Sequence, residues 1–409
     1  MTAAAEPRSV YVDALEAIRD DPARWSDLAA AIDASAGDEL AVQDSLRRRY
    51  PAEQVRAAFT LHDLRRRFAS KFGPDGPRWY DRVPAEQATP AAVATYKASR
   101  FRSAGDGPVY DLCCGIGSDT LGLAAGGEVI AVDCDPLTAR MTGWNVADAR
   151  LGDRVEVIVE QAESTPVDGG LLHIDPDRRI GAGRSRRVED YRPGLDALHG
   201  LMRRARGGAV KLGPASNFGG KFDEVGVPVT TELVSLDGEC KEATVWFGEL
   251  AEDAPSAAAV LPAGTRLTGD PLSDLADRAA LGRYLFDPDP AVVRAGLVDR
   301  LGEVAGLARL DEAEEYLTSD ACEDSPFATA FEVIDEVPNN ERAVRAAVRS
   351  LGVASVEIKC RHLRVDADAV RRRLPLGGDG SAVLIYARIA GRARVVLARR
   401  VDRGLTPPA

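Results

Sequence analysis

The residues with the clearest chemical meaning in this 409-residue chain are the ten from Tyr110 to Asp119, YDLCCGIGSD, together with Asp133 in VIAVDCDP. An apolar strand, VYDL, ends in an acidic residue, turns through glycines and enters a helix. A second apolar strand, EVIAVD, ends in its own carboxylate. Gly115 and Gly117 let the backbone approach a ligand with no Cβ in the way, and Asp133 stands where a carboxylate can accept from two ribose hydroxyls. This is the pattern of a nucleoside-binding unit. A dinucleotide fingerprint uses three glycines to bring a pyrophosphate onto a helix N-terminus, whereas here Asp119 fills a late position of the loop and Asp111 adds a second negative charge. Carboxylates repel phosphate and suit a cationic, phosphate-free nucleoside, a description met by S-adenosylmethionine with its sulfonium and ammonium. A later apolar strand, LLHID, supplies a third acidic end in Asp175-Pro176-Asp177-Arg178.

Composition bounds the class of protein. Apolar residues at 45% and charged residues at 28% are those of a globular chain long enough for two or three cores. No stretch approaches the ~20 uncharged apolar residues of a membrane span, and MTAAAEPRSV lacks the apolar centre of a signal peptide, so the cytoplasm is the expected compartment. The six cysteines form no CxxC pair and no metal-ligand spacing, so reduced thiols and no bound metal are expected. The net charge of −12 is uneven: residues 326–409 carry 15 basic and 9 acidic side chains, a balance of +6 in an acidic protein. That asymmetry points to an anionic partner, with a solvated face as the bland alternative.

The elements that must position these residues follow from periodicity. Residues 1–100 read as a helical extension: ALEAIRDD, WSDLAAAIDASA and AEQVRAAFTLHDLRRRFASKF repeat apolar positions every three or four residues, and Thr89-Pro90 reads as the N-cap and first-turn proline of AAVATYKASRF. Residues 101–250 hold seven strand candidates, VYDL, EVIAVD, VEVIVE, LLHID, GAVKLG, TTELVSLDG and ATVWFG. Alternation with helices calls for a parallel sheet closed by an antiparallel edge hairpin from Thr230 to Gly248. Asp135-Pro136 opens the helix after the second strand. Residues 251–325 are acidic and mixed, with one helix starting near Pro290. Residues 326–409 read as a small α+β domain in the order FEVIDEV, NERAVRAAVRSLG, SVEIKCR, ADAVRRRL, SAVLIYARI and ARVVLARRV.

The loop, the Asp133 spacing and the IDPDRR strand end together resemble the class I methyltransferases. Residues 68–161, with RWYDRVPAEQATPAAVATY, DLCCGIGSD, VIAVDCDP and DRVEVIVE, resemble the core of trimethylguanosine synthase-like RNA methyltransferases. EQATP, VKLGP, SLDGE, YLFDPDPAVVRAGLV, YLTSD, SPFATAF, VEIK and LARR resemble bacterial class I methyltransferases that carry a C-terminal THUMP-like domain. The resemblance implies an α/β fold with a Rossmann-like seven-stranded sheet, a helical N-terminal extension and a small α+β THUMP-like domain. It also implies S-adenosylmethionine as cofactor. By family position, Asp111, Cys113, Gly115 and Gly117 meet the methionine moiety, Asp133 with Cys134 the ribose, and Gln161 with Ala162 the adenine. In relatives acting on exocyclic base amines, an Asn, Asp or Ser followed by two prolines and an aromatic ring binds the acceptor. Here Asp175 and Pro176 are kept while Asp177 and Arg178 depart, so Asp175, Pro176, Asp177 and Arg178 are the expected catalytic segment, with Asp175 also beside the cofactor.

Several residues carry two readings. Arg178 and Arg179 can stack on a base or bind phosphate, and Arg184, Arg186, Arg187 and Arg192 extend them along the rim, against a solvated loop paired with Glu189 and Asp190. Lys71, Phe72 and Trp79 stand where synthase-like enzymes close over substrate, and Trp79 can equally seal the helical region. Cys113 is expected at a β-region φ, and both Cys113 and Cys114 read as packing residues. His173 reads as packed in its strand. The functional expectation is a methyltransferase acting on a base nitrogen of RNA, such as tRNA or rRNA. Its rivals are a methyltransferase for a small metabolite or protein side chain and a non-catalytic scaffold.

Overall fold

The computed structural model describes residues 7–35, 38–105, 107–180 and 183–401, with the side chains of residues 179, 180, 183 and 184 left aside. Contacts divide the chain into two units, residues 1–229 with 245–251, and residues 230–244 with 252–409.

The first unit opens with seven helices, α1 (Arg8–Arg19), α2 (Pro22–Asp33), α3 (Glu39–Leu46), α4 (Ala52–Arg67), α5 (Ala69–Phe72), α6 (Arg82–Gln87) and α7 (Ala91–Arg102). Then come β1 (Val109–Leu112), α8 (Ser118–Ala124), β2 (Val129–Asp133), α9 (Pro136–Asp148), β3 (Val155–Val159) and β4 (Leu171–Ile174). A two-stranded ribbon of β5 (Arg179–Ile180) and β6 (Gly183–Arg184) precedes α10 (Leu195–Arg204) and β7 (Gly207–Leu212). The last two of the seven expected strands form the hairpin β8 (Val229–Leu236) and β9 (Glu239–Gly248), of which residues 230–244 are counted with the second unit. Strands β4, β1, β2 and β3 run parallel, Val109 lying beside both Val129 and Leu171, and β7 joins them beside β4. Strands β4 and β7 are buried at every residue, as strands covered on both faces are, and each carries one buried polar side chain, His173 and Lys211.

A division at residue 100 is not observed. The N-terminal helices share one core with α9 and the glycine loop: Leu15, Leu28, Leu61 and Phe72 cluster with Ile116, Met141 and Trp144. The edge hairpin is corrected as well, because β8 pairs on its outer side with a further parallel strand, β10 (Ser256–Leu261), which carries β11 (Thr265–Gly269) antiparallel.

In the second unit, β12 (Tyr284–Pro288), α11 (Pro290–Arg294), α12 (Val298–Ala305), β13 (Ala308–Arg309) and β14 (Leu317–Ser319) fill the acidic region. The expected pattern follows as β15 (Ala328–Pro338), α13 (Glu341–Leu351), β16 (Ser355–Cys360), α14 (Ala367–Arg373), β17 (Ser381–Ile389) and β18 (Arg392–Arg400). These strands form one sheet in the order β13-β14-β12-β15-β18-β17-β16. A division at residue 325 would cut it, since Leu285 of β12 lies opposite Phe331 of β15. Both faces are covered: Val383 and Ile385 enter one core with Phe331, and Leu384 and Tyr386 enter another with Val344 and Val348 of α13.

Candidate active site

The C-terminal ends of β1, β2 and β4 lie side by side, with Leu112 in register with Val132 and with Ile174. Ligands of open α/β sheets bind at this edge. From β1 the chain enters a tight loop in which Cys113, Gly115 and Gly117 all have left-handed φ, at +56°, +60° and +83°. The β-region φ expected at Cys113 is therefore corrected. Alternating left-handed residues coil the loop so that Gly117 N donates to Cys114 O at 3.0 Å and Cys114 N to Val132 O at 3.0 Å. A side chain in that region costs about 1 to 2 kcal/mol, and such strain gathers at functional sites. Burial, with Asp133 and Asp175 nearby, pushes the Cys113 thiol well up, and burial with Asp111 does the same to Cys114. Neither supplies a thiolate nucleophile at neutral pH.

The loop leaves room for a ligand. A Cβ on Gly115 would meet no atom within 4 Å, whereas one on Gly117 would stand 2.9 Å from Thr142 Cγ2. Asp133, partly exposed at the end of β2, accepts from Gly115 N and from Asp135 N at 2.9 Å each. Burial raises its carboxyl above the ordinary value, and those two backbone donors oppose the rise. Each carboxylate oxygen keeps a second lone pair for ribose hydroxyls. Cys134 follows it, exposed, and Asp135 caps α9 by accepting from Leu137 N, with Pro136 in the first turn as expected. At the end of β3, Gln161 is exposed and Ala162 buried.

Asp111 is placed otherwise than expected. Its side chain is fully buried beneath the loop, with Oδ1 2.8 Å from His173 Nδ1 and Oδ2 accepting from Thr120 Oγ1. The carboxylate is committed to holding the strand end and α8 and does not reach the pocket. Asp119 is corrected too, because it is buried and ion-paired with Lys97 Nζ at 2.8 Å. Burial would raise its carboxyl, but Lys97 prevails and holds it below the usual carboxylate range. Thr89 Oγ1 donates to Asp119 Oδ2 instead of capping α7, whose N-cap is Pro90.

At the end of β4, Asp175 N donates to Leu112 O, and Asp175 Oδ2 accepts from Lys211 Nζ at 2.6 Å. Lys211, buried in β7, escaped the sequence reading because a lone lysine in VKLG carries no spacing signal. Pro176 is buried and Asp177 exposed, and Asp177 exchanges backbone hydrogen bonds with Arg192 at 2.8 Å. The Arg178 guanidinium lies across Gly213, where a Cβ would stand 2.1 Å from Nη1. The side chains of Arg179 and Arg184 lie outside the described residues. Glu189 pairs with Lys221 and Asp190 accepts from Ser185, so the expected pairing of these acids with the loop arginines is not what forms. Arg186, Arg187 and Arg192 are exposed.

Three substrate candidates are corrected. Trp79 is 5% exposed, its indole N–H donates to Asp148 at 2.7 Å, and its ring meets Trp25 and Trp144 edge-on. Phe72 is buried against Phe68 and Tyr80. Lys71 donates to the carbonyls of Ala85 and Glu86, satisfying the C-terminal turn of α6. All three brace the helical region. Asn145 ties that brace to the loop: its Oδ1 accepts from Arg78 N and Trp79 N, and its Nδ2 donates to Trp79 O and Ile116 O.

A parallel sheet with acidic ends on its first two strands and a left-handed glycine loop between them defines a class I methyltransferase. Two Mycobacterium tuberculosis proteins named as uncharacterized S-adenosylmethionine-dependent methyltransferases are each 32% identical to this chain over 334 residues, covering 80% of it and 90% of the relative. The chain belongs to the S-adenosylmethionine-dependent methyltransferases. A crystal structure of a putative methyltransferase from Porphyromonas gingivalis shares the fold, with a TM-score of 0.72 and 22% identity over 87% of this chain and 92% of that one. A family model described as THUMP domain-like matches residues 328–400, and a domain of unknown function matches residues 25–67. S-adenosylmethionine is the cofactor, and the open space at Gly115 beside the half-exposed Asp133 fits it. Among the described residues no helix is long and apolar enough to cross a membrane, and no group of three or more His, Cys, Asp or Glu is placed to hold a metal.

Proposed function

We propose that the protein methylates a base nitrogen of cellular RNA, tRNA or rRNA, in the cytoplasm. The observation that carries this reading is the THUMP-like match over residues 328–400, which falls in the net-basic segment of an acidic chain. Arg342 and Arg349 on α13 and Arg372 on α14 are exposed there, as phosphate contacts require. In the first unit, Arg178 at the strand end and the exposed Arg186, Arg187 and Arg192 on the loop beyond it give the acceptor a basic approach.

The cofactor supplies a methyl group activated on a sulfonium. Asp133 accepts from its ribose hydroxyls, Gln161 and Ala162 flank its adenine, Cys134 lines the ribose side, and the Gly115 backbone meets its methionine end. Asp175, with one oxygen tied to Lys211, turns the other to an acceptor N–H, and the Pro176 carbonyl is a second acceptor. The pair is electrically neutral, so it orients the incoming amine more than it stabilises a full positive charge. Arg178 then takes the place of the aromatic ring against the base plane.

The test is transfer of tritiated methyl groups by the purified protein to total RNA from a strain lacking the gene and from its parent, followed by nucleoside mass spectrometry. Label confined to the deletion strain's RNA supports the reading and names the product. Label in neither RNA, with transfer to the small-molecule or protein fraction of the same strain, overturns it.

A further inference from the structure

The glycine loop is bracketed by two buried carboxylates, Asp111 where β1 ends and Asp119 in the first turn of α8. A single ammonium serves both. Lys97, on α7 and 1% exposed, reaches Asp119 Oδ1 at 2.8 Å and His173 Nε2 at 3.3 Å. His173, also 1% exposed, faces Asp111 Oδ1 through Nδ1 at 2.8 Å. An ammonium only donates, so the Nε2 it faces must present a lone pair, and the ring proton must then sit on Nδ1 and point at Asp111. The chain of contacts is directional: Lys97 to His173 to Asp111 on one side, and Lys97 to Asp119 on the other. Around the imidazole stand Lys97 from α7, Asp111 from β1 and Asp119 from α8, with the edge of Phe101 against its ring and Lys211 of β7 near Asp119.

We propose that Lys97 is a positioning residue for the cofactor loop, clamping Asp119 directly and Asp111 through a neutral, Nδ1-protonated His173. Lys97 touches no substrate. It acts on the loop from below by fixing both of its ends, and supporting shells of this kind set how well a site is preorganised. The two carboxylates it serves belong to different elements, so losing the ammonium removes the cation they share and leaves Thr120, donating to Asp111, as the side-chain tie between β1 and α8. The inference rests on the methyltransferase cofactor and is independent of the acceptor.

Nitrogen-15 NMR of histidine-labelled protein is the first test, since only four histidines are present and His173→Gln assigns the signal. The expected spectrum at neutral pH is a neutral ring protonated on Nδ1, and an Nε2-protonated or doubly protonated ring overturns the proposal. Calorimetry with S-adenosylhomocysteine is the second. Glutamine can accept from Lys97 and donate to Asp111, so His173→Gln keeps affinity within about threefold, while His173→Leu and Lys97→Met each lose about tenfold or more. Equal affinities for the Gln and Leu variants sink the relay, whatever Lys97→Met does to folding. Failure of the wild-type protein to bind S-adenosylhomocysteine would instead remove the cofactor assignment itself.

Discussion

Replacing Asn145 by alanine isolates how the helical region is joined to the cofactor loop. The side chain is 1% exposed and makes four hydrogen bonds, accepting from Arg78 N and Trp79 N at 2.8 Å and donating to Trp79 O at 2.9 Å and Ile116 O at 3.0 Å. Three of those backbone groups belong to buried residues and find no water when the amide is gone. A net hydrogen bond contributes about 1 kcal/mol and an orphaned buried group costs about 1 to 3 kcal/mol, which puts Asn145→Ala near 4 kcal/mol. That is the upper end of what single substitutions do. Asn145→Asp has the same shape but turns two donors into an oxygen facing carbonyls, so it loses at least as much, and packing cannot account for the result. The assay is guanidinium unfolding followed by tryptophan fluorescence, because Trp25, Trp79, Trp144 and Trp246 all lie in the first unit and report on it alone. A shift below about 1 kcal/mol in both variants refutes the reasoning, since the four bonds would then have no structural weight.

Two further outcomes follow from the loop. The Asp133 carboxyl is raised chiefly by burial, so the fold holds its proton more tightly than the unfolded chain does. Its contribution to stability is then largest at low pH and declines as pH rises from the ordinary carboxylate value to the raised one. Cofactor affinity should run the other way, rising through the same window as the carboxylate forms and then levelling, and Asp133→Asn should abolish that rise; calorimetric titrations with S-adenosylhomocysteine from about pH 4 to 7 measure it. An affinity independent of pH in that range contradicts the role given to Asp133. Gly117→Ala places a Cβ at a φ of +83° and 2.9 Å from Thr142 Cγ2, so it should lower the stability of the first unit by about 2 kcal/mol by the same fluorescence assay. A change under about 0.5 kcal/mol would mean that the loop accommodates a left-handed alanine without strain.

What the sequence made legible is what local patterning encodes. The strands VYDL and EVIAVD, the Asp135-Pro136 helix start and all six elements from Phe327 onward form where their periodicity put them. The segment SAAAVL stayed obscure for a physical reason: β10 is buried on both faces, so it shows no alternation, and a short alanine-rich run reads equally as helix. Side-chain partners were less legible still. Thr89 looked like a cap because threonine before proline satisfies the local rule, yet its hydroxyl serves Asp119, thirty positions away. Lys97 meets His173 across 76 residues and Lys211 meets Asp175 across 36, and no spacing rule links such pairs before the sheet brings them together.

The glycine loop and the acid that ends β2 stand close together in the sequence, which is why the cofactor side of the site is readable in a chain of this kind. On the proposed reading the acceptor side is built from Asp175, tied to Lys211, and Arg178, lying across Gly213, with a loop beyond them that is pinned from the segment after β7. There Tyr191 meets Ser216 through their hydroxyls, Val188 N donates to Asn217 Oδ1, and Lys221 pairs with Glu189. On that reading residues 213–221 shape the acceptor approach, although beyond Pro214 none of them carries a recognisable motif. Two methyltransferases with the same glycine loop can differ in substrate through that segment alone, so exchanging it between this chain and a relative should move acceptor preference while leaving cofactor affinity in place.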